Sequence, residues 1–175
     1  MTDADIVGRV LAGDVDAFAL IVARYFGRCR RYASRVLANA ADADDVVQET
    51  FVRAYDALGR YHEQNRFGAW LFTILVTECR GAISRRHRRE RIFVVDPELV
   101  AAAESPPTHE PELRDAMEQA LERLEPLLRE AFLLRHVEEL SYEEMQMITG
   151  AGLSALKMRV KRACEALRAH LGEPV

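Results

Sequence analysis

The placement of proline constrains this chain more than any other feature. The first 96 residues contain none, which suits long uninterrupted helices. Residues 93–112 then hold Pro97, Pro106, Pro107 and Pro111, four of the six in the chain. Four prolines in twenty residues forbid a continuous helix, so this segment is expected to be a linker. It also carries Asp96, Glu98, Glu104, Glu110 and Glu112 and no Lys or Arg, the composition of a solvated acidic spacer. The chain is thereby divided into residues 1–92, a linker at 93–112 and residues 113–175.

Both flanking parts read as helical. Phe18, Ile21, Val22, Tyr25 and Phe26 recur at helical spacing, with Leu11 ahead of them. Val46, Val47, Thr50, Phe51, Ala54 and Leu58 repeat the pattern, as do Trp70, Leu71, Ile74, Leu75 and Ile83. No segment alternates apolar and polar residues with enough β-branched content to demand a strand. Beyond the linker the pattern resumes at Leu113 and runs through Met117, Leu121 and Leu124 until Pro126 interrupts it. Leu127, Ala131, Phe132, Leu133 and Val137 form the next amphipathic stretch. The expected fold is all-α: two small helical domains joined by a flexible acidic linker.

The last 35 residues predict two helices and a tight turn. Ser141 with Glu144 three residues later has the spacing of a capping box. Gly150 or Gly152 ends that helix, and a second runs from about Ser154 to Leu171. Leu153, Leu156, Val160, Ala163 and Leu167 are expected on its inner face. Ser154, Lys157, Met158, Lys161 and Arg162 then point outward, with Arg159 beside the inner stripe. This is the layout of a helix-turn-helix, whose second helix enters the major groove with its N-terminal half. Any two helices around a glycine turn share that layout, so periodicity alone leaves the motif open.

The net charge of −4 argues at first against a nucleic-acid ligand. The layout reverses the argument. Residues 80–91 hold six arginines and one acid, a local charge of +5, and residues 153–169 reach +4. Each basic run closes one of the two helical parts, as a phosphate-binding face requires. Asp42, Asp44, Asp45 and Glu49 gather on another helix, whose N-terminus they also complement. Of 24 basic residues only Lys157 and Lys161 are lysines; GC-rich coding explains that bias as well as a phosphate ligand does.

Other classes fit less well. No apolar run approaches the roughly 20 residues that span a membrane. The acidic segment from Met1 to Asp5 lacks the features of a signal peptide. Cys29, Cys79 and Cys164 form neither a CxxC pair nor a zinc set, so a reduced cytoplasmic protein is expected, without metal or cofactor. The five histidines are scattered, and no nucleotide loop, GxSxG elbow or HExxH helix is present. A response regulator with a helix-turn-helix output would need a receiver domain, and Asp45 lacks the strand-end setting of a phosphoacceptor. No sensory domain is expected after Leu171.

Three segments resemble the bacterial sigma-70 family. Residues 43–55, ADDVVQETFVRAY, are similar to its region 2 core-binding helix, and residues 67–71, FGAWL, to the segment that follows. Residues 124–167 are similar to region 4, with LSYEEM and LKMRVKRA as the most specific motifs. The length and two-part plan resemble the extracytoplasmic-function (ECF) group, which carries regions 2 and 4 alone.

That resemblance implies a non-enzymatic promoter-specificity factor with core RNA polymerase and promoter DNA as partners. Asp45, Gln48 and Glu49 would dock on the clamp helices of the polymerase largest subunit, and region 4 on the flap of the second-largest. Tyr61, Asn65, Arg66, Phe67 and Trp70 match the segment that melts the −10 element. Unstacking a base there costs a few kcal/mol, offset by a shaped aromatic pocket. Arg80, Arg85, Arg86, Arg88 and Arg89 would follow phosphates. Lys157, Met158 and Arg162 align with readers of the −35 element; Tyr142, Ser154, Arg159 and Lys161 flank them. The linker matches the connector that threads through polymerase. An anti-sigma factor is an expected partner. The chain departs from the family at Thr77, where Asn is usual, at Gly81, where Asp is usual, and at Met158, where a small hydroxyl residue is usual.

Overall fold

The computed structural model describes residues 1–62, 66–92 and 111–172. Among them lie eight α-helices and no strand. In the first part these are α1 (Asp3–Leu11), α2 (Phe18–Leu37), α3 (Ala40–Ala57) and α4 (Phe67–Ile92). In the second they are α5 (Pro111–Glu122), α6 (Pro126–Phe132), α7 (Tyr142–Thr149) and α8 (Leu153–Leu171).

Local chemistry sets the ends of these helices. Thr2 and Asp5 form a reciprocal capping box on α1, with Asp5 N donating to Thr2 Oγ1 at 3.2 Å and Thr2 N to the Asp5 carboxylate at 2.7 Å. Asn39 accepts from the amides of Ala41 and Asp42 and so starts α3. Between α2 and α3 the chain turns at Ala38, whose φ of 52° lies in the left-handed region. Both α5 and α6 open on a proline, where the missing N–H costs nothing. Helix α5 therefore begins at Pro111, two residues before the apolar pattern resumes.

α2, α3 and α4 pack around Ile21, Tyr32, Val47, Phe51, Leu71, Phe72 and Leu75, with Ile6 of α1 closing one end. In the second part Leu124, Leu133, Leu134, Met145, Leu156 and Leu167 form the interior. The outline of the helix-turn-helix follows the expected spacing. Ser141 and Glu144 make the capping box, Gly150 ends α7 in the left-handed region at φ 70°, and α8 follows. One inner position differs: Leu153 is 36% exposed, because it is the first residue of α8 and lies before the stripe turns inward. Leu11, Phe26, Leu127 and Val137 are likewise exposed.

The helical parts do not stand apart. α7 lies against α4, and α5 and α6 against α2. Arginines carry the polar contacts across this boundary. Arg28 pairs with the buried Glu138 carboxylate and donates to the Glu138 carbonyl at 3.1 Å. Arg80 grips the Glu130 carboxylate through Nε at 2.9 Å and Nη2 at 2.7 Å. Arg129 reaches back to the Val36 carbonyl at 3.1 Å. A π turn over Leu133–Val137 prolongs α6 and delivers Glu138 to Arg28, with Glu138 N bonded to Leu133 O at 2.9 Å.

Candidate nucleic-acid interface

α8 presents its charges as its periodicity requires. Leu156, Val160, Ala163 and Leu167 are buried, while Ser154, Lys157, Met158, Lys161 and Arg162 are exposed and Arg159 is half-buried. The half-buried Tyr142, first residue of α7, stands beside this face. Its ring lies between two cations, with Lys157 Nζ at 5.8 Å and Arg135 Cζ at 5.3 Å from its centroid. Arg135 is also anchored on the Leu140 carbonyl at 2.8 Å. The face thus offers two freely extended cationic tips, a thioether and an oriented lysine, a chemistry suited to guanine edges, thymine methyls and phosphates.

The basic run at the end of α4 divides in two. Arg85, Arg88 and Arg89 are exposed. Arg80 and Arg86 are turned inward. Arg80 gives its third nitrogen to the Thr149 carbonyl at 3.1 Å, and Arg86 donates to the Leu37 carbonyl at the end of α2. Thr77 is exposed and its hydroxyl donates to the Thr73 carbonyl at 2.8 Å.

At the start of α4, Tyr61, Phe67 and Trp70 form one aromatic cluster, with ring centroids 4.9–5.4 Å apart. Phe67 is 1% exposed and forms its floor, leaning on Tyr25. Tyr61 and Trp70 are half-buried above it. Arg66 is exposed with Nη1 3.5 Å from Met147 Sδ, and Asn65 falls outside the described residues.

On α3, Asp45, Gln48 and Glu49 are exposed on neighbouring turns. Glu49 pairs with Arg53 at 2.7 Å, and Arg53 also reaches the buried Glu78 at 3.1 Å. Asp44 is held by Arg30 at 2.6 Å, and that hydrogen bond keeps its carboxyl below the usual range. Asp45 and Gln48 therefore form the outward part of the acidic face. Sequence reasoning missed Arg28, Arg129, Arg135, Glu130 and Glu138, whose partners are distant in the chain or, for Arg135, a carbonyl no pattern marks.

Helical bundle, acidic docking helix and helix-turn-helix with a cationic second helix define a two-part transcription factor. The Sigma-70 region 2 family matches residues 21–90, and the family described as Sigma-70, region 4 matches residues 114–167. The chain belongs to the sigma-70 family and to its ECF group, and is a promoter-specificity factor for RNA polymerase. It is 34% identical over 161 residues to RNA polymerase sigma factor CarQ of Myxococcus xanthus, covering 92% of each chain. It is 33% identical to the ECF RNA polymerase sigma-E factor of Escherichia coli K12, over 95% of this chain and 93% of the other. The solved sigma factor RpoE from Bartonella quintana, in complex with the anti-sigma factor NepR, superposes with a TM-score of 0.77 at 27% identity, covering 89% of this chain and 96% of that one. CnrH, in complex with the cytosolic domain of CnrY, gives 0.71 at 26% identity over 99% of both chains. No described helix is long and apolar enough to cross a membrane.

Proposed function

We propose a division of labour along the chain, with residues 1–92 serving core polymerase and the −10 element and residues 113–175 the −35 element. Lys157, Met158 and Arg162 read base edges in the −35 major groove. Ser154, Arg159, Lys161 and Tyr142 hold the adjoining backbone. Met158 supplies apolar contact to a thymine methyl in place of a hydroxyl. The observation that carries this reading is the outward placement of Lys157, Met158 and Arg162 on one face of α8, behind a glycine-ended turn.

In the first part, Tyr61 and Trp70 wedge or wall a flipped base above the Phe67 floor, with Asn65, Arg66 and Thr77 at its edge. Arg85, Arg88 and Arg89 track phosphates, and Arg80 and Arg86 join them after leaving Glu130 and the Leu37 carbonyl. Asp45, Gln48 and Glu49 dock on the polymerase clamp helices, and the second part meets the flap. The chain acts in the cytoplasm as a specificity subunit rather than an enzyme. An anti-sigma factor holds it inactive, as NepR and CnrY accompany its structural neighbours.

Reconstitution with core polymerase tests this. Lys157→Ala with Arg162→Ala is expected to abolish −35-dependent transcription and keep copurification with core. It should also flatten the salt dependence of promoter binding by about one log unit per lost phosphate contact. Full activity of the double variant would defeat the −35 assignment.

A further inference from the structure

The contact between the two helical parts holds together groups that a promoter-bound factor must separate. Glu130 is 4% exposed and Glu138 7%, and each is neutralised by an arginine from the other part of the chain. Arg80 has all three guanidinium nitrogens engaged, two on the Glu130 carboxylate and one on the Thr149 carbonyl at the end of α7. A carboxylate buried at such a boundary is costly without its cation, so closure and pairing stand or fall together. The boundary is also imperfect. The hydroxyl of Tyr32, wholly buried and under the field of Glu130, has no hydrogen-bond partner, a penalty borne only while the parts are closed.

The scale of the promoter makes closure incompatible with function. A compact chain of this size is about 40 Å across. The −35 and −10 elements lie about 25 base pairs apart, or ~85 Å at ~3.4 Å per step. The closed protein cannot touch both. The 18 residues between Ile92 and Pro111 can extend to at most ~65 Å, which is enough to bridge the elements once the parts come away from each other.

We propose that Arg28–Glu138 and Arg80–Glu130 form an autoinhibitory latch. It keeps the free factor closed and withdraws Arg80 from DNA until polymerase and promoter pull the parts open. The latch supplies a reason within the chain for weak DNA binding without polymerase. It rests on the promoter reading for its purpose, but its existence is tested without transcription.

The experiment is small-angle X-ray scattering on the full chain at physiological salt. The wild type is expected to show a radius of gyration of about 16 Å. Glu130→Lys with Glu138→Lys is expected to raise it by a quarter or more with helix content unchanged by circular dichroism. Arg28→Glu and Glu138→Arg should each expand the chain alone, and their combination should restore the wild-type radius. If the reversals cost helix content, Glu130→Ala with Glu138→Ala decides on the same criterion. An expanded wild type overturns the latch, as do variants that stay compact and a charge swap that fails to close. A transcription defect with the latch intact would count against the promoter assignments instead.

Discussion

Arg129 donates from Nη1 to the carbonyl of Val36, 93 residues earlier in the chain, at 3.1 Å. The same guanidinium serves Leu121 O at 2.7 Å, Leu124 O at 3.2 Å and the carbonyl of Glu122. It thereby satisfies the exposed end of α5 and part of the end of α2. Burial pushes this guanidinium below its ordinary value, so four carbonyl acceptors must keep the charge in place. Arg129→Met is expected to cost about 3 kcal/mol in urea unfolding, and Arg129→Lys less, since an ammonium has three donors to offer. A loss under 1 kcal/mol for the methionine would show that water replaces these bonds.

Tyr142 orients Lys157 without touching DNA through its ring. At partly exposed sites such a cation–ring contact is worth about 0.5–1 kcal/mol. Tyr142→Ala should weaken −35 binding by the polymerase complex about two- to fivefold. Tyr142→Phe keeps the ring face and should stay near the wild type. Fluorescence anisotropy on a −35 duplex separates the two; an equal loss in both would assign the effect to the hydroxyl.

Ala38 sits at φ 52°, where a Cβ is strained by roughly 1–2 kcal/mol. Glycine removes that strain but widens the unfolded ensemble. Ala38→Gly is expected to stabilise the protein by about 0.5–1 kcal/mol, read as a higher urea midpoint at unchanged slope. A lower midpoint would mean that the left-handed turn is held without strain.

Burial pushes the thiols of Cys29 and Cys79 up to about 12. Their folded value lies above the unfolded one, so the folded chain keeps protons that the unfolded chain sheds. Stability from this source is complete below pH 9 and declines as pH rises toward 12. A thiol reagent at pH 8 should label Cys164 in the native protein and all three cysteines in urea. Cys29→Ala with Cys79→Ala should shallow the alkaline decline. Native labelling of three thiols would contradict their burial.

Much of this protein was legible because its signals are local. The proline-free first 96 residues, the Ser141–Glu144 box and the stripe at Leu156, Val160, Ala163 and Leu167 each act within a turn or two of helix. Exposure of Asp45, Gln48, Lys157 and Arg162 followed from the same periodicity. The division of the α4 arginines did not. Nothing within ten residues distinguishes Arg80, turned onto Glu130 fifty positions away, from Arg88, which faces solvent. Charge density marks a basic segment, whereas the partner of each cation is set by packing between distant helices. Leu153 misled for a related reason: a helix has no preceding turn to cover its first residue.

The π turn at Leu133–Val137 has a mechanical reading. A turn of this kind is one residue too many in an otherwise regular helix. Removing a single residue there would let the backbone close up and rotate everything after it by about 100°. Glu138 would swing away from Arg28, and the whole helix-turn-helix would be re-aimed about the axis of α6. The bearing of the DNA-reading helix is thus geared to the length of one short segment, and an indel there acts as a steering change rather than a local defect.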